Sequence, residues 1–194
     1  MMVLTIAVEG ASDEAVVRRI CSAVGLEVGP AFVAGGKVRL DSRLNGYNHA
    51  ARFAPWLVVR DLDHDADCAP TLVSKLLPDP ADQMLLRVPV RTIESWLLAD
   101  RESFSRFFGV SLAVVPTTPE ELDRPKRAVV DLARRSKKRA IRDGLVPAPG
   151  TSAEVGPGYT AAVIEFASRV WDPKRAAKAA PSLGRCLLAL SRIK

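Results

Sequence analysis

Glu9, Asp61 and Asp63 are the residues whose type and placing most directly suggest chemistry. Glu9 directly follows the apolar run Val3–Val8, and Asp61-Leu62-Asp63 closely follows the run Trp56–Val59. Both runs are continuous and β-prone, the pattern of parallel strands buried on both faces. Open parallel sheets collect ligands at the carboxyl ends of their strands. If the two strands are neighbours, three carboxylates meet at one edge, and each raises the pKa of the others unless a cation neutralises them. An all-oxygen donor set suits Mg²⁺ or Mn²⁺, which keep waters and substrate phosphate in their remaining positions. Asp65 continues the spacing and counts among the candidate ligands. At the strand end, where the chain turns, Asp61 and Asp63 can both face one ion.

Two other uses of an Asp-x-Asp-x-Asp run meet obstacles in the sequence. An EF-hand loop starting at Asp61 needs glycine at its sixth position and a carboxylate at its twelfth, where Ala66 and Leu72 stand. A phosphatase of the haloacid dehalogenase type pairs a nucleophilic aspartate with an acid two residues on. Asp65 stands where that motif carries a small hydroxyl or β-branched residue, and the run does not follow the first strand.

The elements that would position these residues can be read from the pattern. After Glu9-Gly10, Ser12 can cap a helix with Asp13 and Glu14 in its first turn and Val16, Ile20 and Val24 as its buried stripe. Ala31–Val33 is a weaker strand, and Asn45 to Ala54 reads as a polar stretch. Ala69–Leu77 forms a helix stopped by Asp79-Pro80, Met84–Val88 a strand, and Ile93–Asp100 a short apolar helix. This alternation predicts an α/β fold with a parallel sheet and helices on both faces over residues 1–100. Residues 101–194 read as a mainly helical, basic extension packed on that core. Its helices are a start at Thr118-Pro119-Glu120-Glu121 and runs over 125–136, 159–170 and 182–193. The Pro- and Gly-rich stretch 146–158 is a loop.

Charge is divided unevenly. Residues 1–100 carry 10 Lys/Arg against 13 Asp/Glu, and residues 101–194 carry 18 against 9, within a net charge of +6. A basic half suits a polyanion such as nucleic acid. The densest basic run, Arg134, Arg135, Lys137, Lys138 and Arg139, is the candidate phosphate contact. No apolar stretch approaches the roughly 20 residues that cross a bilayer, and the first apolar run is too short for a signal peptide. Three widely spaced cysteines, Cys21, Cys68 and Cys186, suit reduced thiols. The expectation is a cytoplasmic protein without membrane contact, its oligomeric state open. No Gly-x-x-x-x-Gly-Lys-Ser/Thr occurs, so any ATP chemistry would come from a partner.

The segment Val8-Glu9-Gly10-Ala11-Ser12-Asp13-Glu14, taken with Asp61-Leu62-Asp63, resembles the Toprim signature: a glutamate after the first strand and Asp-x-Asp after the third. Primases, topoisomerases and the overcoming-lysogenization-defect nucleases share that domain. Ile93-Glu94-Ser95-Trp96-Leu97-Leu98-Ala99-Asp100, with Arg124-Pro125-Lys126 and Pro181-Ser182-Leu183, is similar to a family of small Toprim-like bacterial proteins often found beside ATPases in mobile or defence loci. The resemblance implies a Toprim-like (Rossmann-like) sheet, with Glu9 binding metal and acting as general base and Asp61 and Asp63 as metal ligands. It implies that Asp13 or Glu14 helps hold a second metal, and that Glu94 joins the cluster if its helix begins at the sheet's carboxyl edge. Lys126, Lys137 and Lys138 are candidates for stabilising a phosphorane-like transition state. His64-Asp65-Ala66-Asp67-Cys68 departs from the small or glycine-containing continuation of that family.

These readings converge on a Mg²⁺-dependent phosphoryl-transfer enzyme, most concretely a nuclease acting on DNA or RNA. One alternative is a non-catalytic Toprim-like partner or sensor subunit working with an ATPase. The weaker one is a small-molecule phosphatase.

Overall fold

The computed structural model describes residues 3–193. The chain is an α/β protein built on four parallel strands: β1 (Val3–Val8), β2 (Glu27–Val33), β3 (Trp56–Val59) and β4 (Met84–Arg87), in the order β2-β1-β3-β4. β1 and β3 are direct neighbours, with Ile6 opposite Leu57 and Ala7 opposite Val58. The residues that follow them therefore emerge side by side.

Alternation along the central strands divides the apolar side chains between two faces. Leu4, Ile6, Val8, Leu57 and Val59 join the larger core, with Val16, Val17 and Ile20 of α1 (Ala11–Ala23) and the buried α4 (Glu94–Ala99). Ala7, Trp56, Val58, Met84 and Leu86 face the other way, onto Leu40, Leu44 and Tyr47 of α2 (Lys37–Ala50) and the end of α3 (Ala69–Leu76). Helices thus cover both faces.

From residue 101 the described chain is helical and holds no strand: α5 (Arg101–Phe108), α6 (Pro125–Arg134), α7 (Arg139–Leu145), α8 (Tyr159–Arg169), α9 (Pro173–Ala176) and α10 (Pro181–Leu190). Phe104, Phe108, Val129, Phe166, Trp171 and Leu183 lie in the same core as β1 and α1, and α8 packs along α1. The stretch 146–158 has neither helix nor strand, as its composition suggests. No helix among the described residues is long and apolar enough to cross a membrane. Cys21 and Cys186 are buried free thiols, and Cys68 is an exposed one.

Several elements differ from the sequence expectation. β2 starts at Glu27 rather than Ala31, through Gly29-Pro30, because it is an edge strand where a bulge absorbs the proline. The polar stretch before β3 is largely the helix α2, whose stripe is only three buried residues wide. Gly10, not Ser12, is the N-cap of α1, and Asp13 Oδ2 accepts from the Gly10 N–H at 2.7 Å. Thr118 starts no α-helix. Pro119–Glu121 is a single 3₁₀ turn, and Arg124, directly before Pro125, is held off helical geometry at φ −133°, ψ 75°. Glu120 is instead drawn to Ser182, accepting from its N–H at 3.0 Å and from its hydroxyl at 2.5 Å.

Candidate functional site

Beyond Val59 the chain stays extended beside the continuation of β4: the N–H groups of Arg60 and Leu62 donate to the carbonyls of Arg87 and Pro89 at 3.1 Å each. Asp63 then turns out of the ladder, with its N–H on the Arg91 carbonyl at 2.8 Å. It has φ 48° and is the only described non-glycine residue at positive φ, a conformation that aspartate tolerates better than most. The turn sends the two aspartates to different partners.

Asp61 points into a cluster of carboxyls. Glu9, from the end of β1, accepts from the Asp61 N–H at 3.0 Å and so ties the two strand ends together. Burial raises the Glu9 pKa, and the Asp61 N–H and the Arg60 charge only partly offset it. Asp13 faces the same point from the first turn of α1. Burial first, and then the charge of Glu94, push its carboxyl up to about 7. Asp61 itself is raised well above its ordinary value, by burial and then by the charges of Glu94, Asp13, Glu9 and Asp63. Its carboxylate accepts no hydrogen bond among the described residues.

Glu94 completes the cluster, at the start of α4 and only 2% exposed. Tyr159 OH donates to its Oε1 at 2.9 Å and Thr92 Oγ1 to its Oε2 at 2.5 Å. Lys126, in the first turn of α6, sets its Nζ 3.9 Å from Glu94 Oε1. Its pKa is raised by Glu94 above all, and after that by Asp61 and Asp13. Burial and the Glu94 charge keep the Tyr159 phenol protonated far above its ordinary range.

Asp63 and Asp65 belong to a second constellation of mixed charge. Lys37 Nζ lies 2.9 Å from Asp63 Oδ2 and 2.9 Å from Asp65 Oδ2. Arg60, 4% exposed, donates through Nη2 to Asp65 at 2.5 Å and to Asp41 of α2 at 3.1 Å, and through Nη1 to the Asp61 carbonyl. Burial works against the Asp65 charge, but the bonds from Lys37 and Arg60 outweigh it and hold its pKa below the usual carboxylate value.

Of the residues singled out from sequence, the structure brings Glu9, Asp13, Asp61 and Glu94 to one place. It sets Asp63 at the edge of that group and ties Asp65 to cations beside it. Of the three candidate lysines, Lys126 alone stands at the cluster. The basic run lies at the far end of α6, a helix of 10 residues and so about 15 Å long. There Arg134 pairs with Asp131, Arg139 with Asp143, and Lys138 donates to the carbonyls of Arg106 and Phe107, while Arg135 and Lys137 are exposed. His64 is exposed, 3.8 Å from Asp123.

Sequence reasoning missed Arg60, Lys37 and Tyr159. Arg60 alone left a signal, a charge between a buried strand and the Asp-x-Asp.

An all-oxygen set of crowded carboxyls, one without a hydrogen-bond donor, fits a hard divalent cation in chemistry. In arrangement it falls short: among the described residues no three His, Cys, Asp or Glu side chains are set to hold one ion. The fold and this site define an α/β protein with an acidic cluster at the carboxyl edge of a parallel sheet. No family model matches the chain, nor does any curated protein or solved structure.

Proposed function

We propose that the chain is a Toprim-like phosphoryl-transfer enzyme that depends on Mg²⁺ or Mn²⁺ and cleaves phosphodiesters of DNA or RNA. The observation that supports this reading is the gathering of Glu9, Asp13, Asp61 and Glu94, with Asp13 raised to about 7 and Asp61 well above its ordinary value. Burial first, and mutual repulsion after it, oppose folding unless something neutralises the charges, and pKa values perturbed this way cluster at functional sites. Asp61, Glu9 and Asp13, not set for one ion as they stand, would have to draw together to hold the cation, with Glu94 at its rim. A cation bound there would lower the pKa of a water and offset charge on the reacting phosphate.

The chain's own groups supply the rest. Tyr159 and Thr92 fix the Glu94 carboxylate, and Lys126 sets a permanent positive charge against the cluster. Arg60 and Lys37 hold the Asp61–Asp65 loop in shape from the outside.

The test is calorimetric titration of Mn²⁺ into the wild type and an Asp61→Ala/Asp63→Ala variant, with DNA and RNA cleavage assayed alongside. Binding and cleavage that both vanish in the variant support the enzyme. A second reading, a non-catalytic partner of an ATPase, draws on the absence of a finished ligand set among the described residues and on the cations that Lys126 and Lys37 already provide. A folded wild type that binds no Mn²⁺ would favour that reading.

A further inference from the structure

An acidic cluster that attracts a cation also repels a phosphodiester, so the substrate needs a cationic seat of its own. Next to Lys126 a cleft of about 390 Å³ opens between the Asp63–His64 turn and the start of α6. Arg91, Arg124, Lys126 and Arg127 line it, together with Asp123 and Glu154. The three arginines keep most of their donors free. Arg91 gives one N–H to the Asp63 carbonyl at 2.8 Å. Arg124 approaches Asp123 at 3.6 Å, and Arg127 pairs with Asp131 at 3.2 Å through its Nε. A guanidinium carries five N–H donors in a fork matched to phosphate.

Size and sign narrow the occupant. The volume falls at the small end of the roughly 300–1,000 Å³ of ligand pockets, room for one nucleotide unit and not for a duplex. Asp123 and Glu154 on the wall would repel the next phosphate of a continuing strand. The basic run that would hold a longer polyanion lies a helix length away.

We infer that this cleft seats a single nucleotide unit through its phosphate, so that the substrate class is a strand end or a short oligonucleotide. The inference rests on the phosphoryl-transfer reading for the chemistry, and on the cleft alone for the seat. Lys126 borders both, placing the seated phosphate beside the acidic cluster.

The experiment is calorimetric titration of thymidine 5′-monophosphate, and of thymidine, into the full chain at low salt. It compares the wild type, Arg124→Ala/Arg127→Ala, and Arg135→Ala/Lys137→Ala in the basic run. Both arginines of the first pair are more than half exposed, so circular dichroism should show an unchanged fold. Loss of charge-assisted bonds to the phosphate should weaken the nucleotide by about tenfold or more in that pair and leave the basic-run pair unchanged. Thymidine should bind at least about tenfold more weakly than its monophosphate. A monophosphate that fails to bind the folded wild type, or binds the Arg124/Arg127 variant equally well, overturns the inference. Mn²⁺ titrated into the same samples separates the two proposals. Metal binding without nucleotide binding overturns the cleft alone. Nucleotide binding without metal binding keeps the seat and overturns its part in catalysis.

Discussion

Replacing Asp13 by asparagine should flatten the dependence of stability on pH. The Asp13 carboxyl titrates at about 7 in the folded chain against 3.8 unperturbed, because it is largely buried and faces Glu94. Between those values the folded state holds a proton that the unfolded state has released. Stability therefore falls as pH rises from about 4, and the loss is complete above about 7. A difference of about three in pKa, at about 1.4 kcal/mol each, sets an upper estimate of about 4 kcal/mol. For a chain of 194 residues each kcal/mol corresponds to about 2–4 °C in Tm. Asparagine can still accept from the Gly10 N–H through Oδ1, so the helix cap survives. Urea unfolding followed by circular dichroism at pH about 4 and about 8 would measure the effect. The wild type should lose up to about 4 kcal/mol more than the variant over that interval. Millimolar Mg²⁺ at the higher pH should restore much of the loss in the wild type. Parallel pH profiles of the two proteins would refute this account of the cluster, as would a Mg²⁺ effect that persists undiminished after Asp13, Asp61 and Glu94 are all neutralised.

Two further outcomes test the supports of the site. Asp100, fully buried, accepts from Arg175 at 2.6 and 3.0 Å and from the Asp172 N–H at 2.9 Å, tying α4 and α5 to α9. Burial opposes its charge, but these bonds outweigh that and depress its pKa, so its stabilisation is present above about 3.8 and lost as pH falls below. Asp100→Asn should cost about 1.5–3 kcal/mol at neutral pH in urea titrations, with the deficit shrinking in acid; a variant as stable as wild type at neutral pH would show the bridge to be idle. Tyr159→Phe removes a donor from buried Glu94 and should cost about 1.5–3 kcal/mol while the fold persists, measured the same way. No loss at all would mean that Glu94 does not depend on that phenol.

The α/β class and the convergence of two strand ends were legible because they follow from continuous apolar runs. Leu4 and Ile6 to Val8 of the first run and all of Trp56–Val59 are buried, and the direct pairing of their strands makes the residues that follow them neighbours. α2 was hidden by its composition: Gly46, Asn45 and Asn48 disfavour helix, and the three buried residues Leu40, Leu44 and Tyr47 suffice only because β3 and β4 supply the facing surface. Tertiary packing outweighed local preference there. The fate of Asp63 was illegible for another reason. Strand spacing says where a side chain starts, but a single positive-φ residue decides where it goes, and Lys37 waits on the outer side.

The charge asymmetry of the two halves is real, and its densest feature lies away from the acidic cluster. Density along a sequence measures how many cations a short segment carries. A catalytic site needs only a few, delivered to a given point by elements that pack around it. α6 starts at the acidic cluster and ends at the basic run, so one helix carries Lys126 to Glu94 and removes Arg135 and Lys137 to its far end. The groups beside the carboxyls, Lys126 and Tyr159, are the opening residues of helices from the second half, separated from Glu94 by 32 and 65 positions. What singles them out is that α6 and α8 share one core with β1, α1 and α4, so their first turns converge on the place where the strands end.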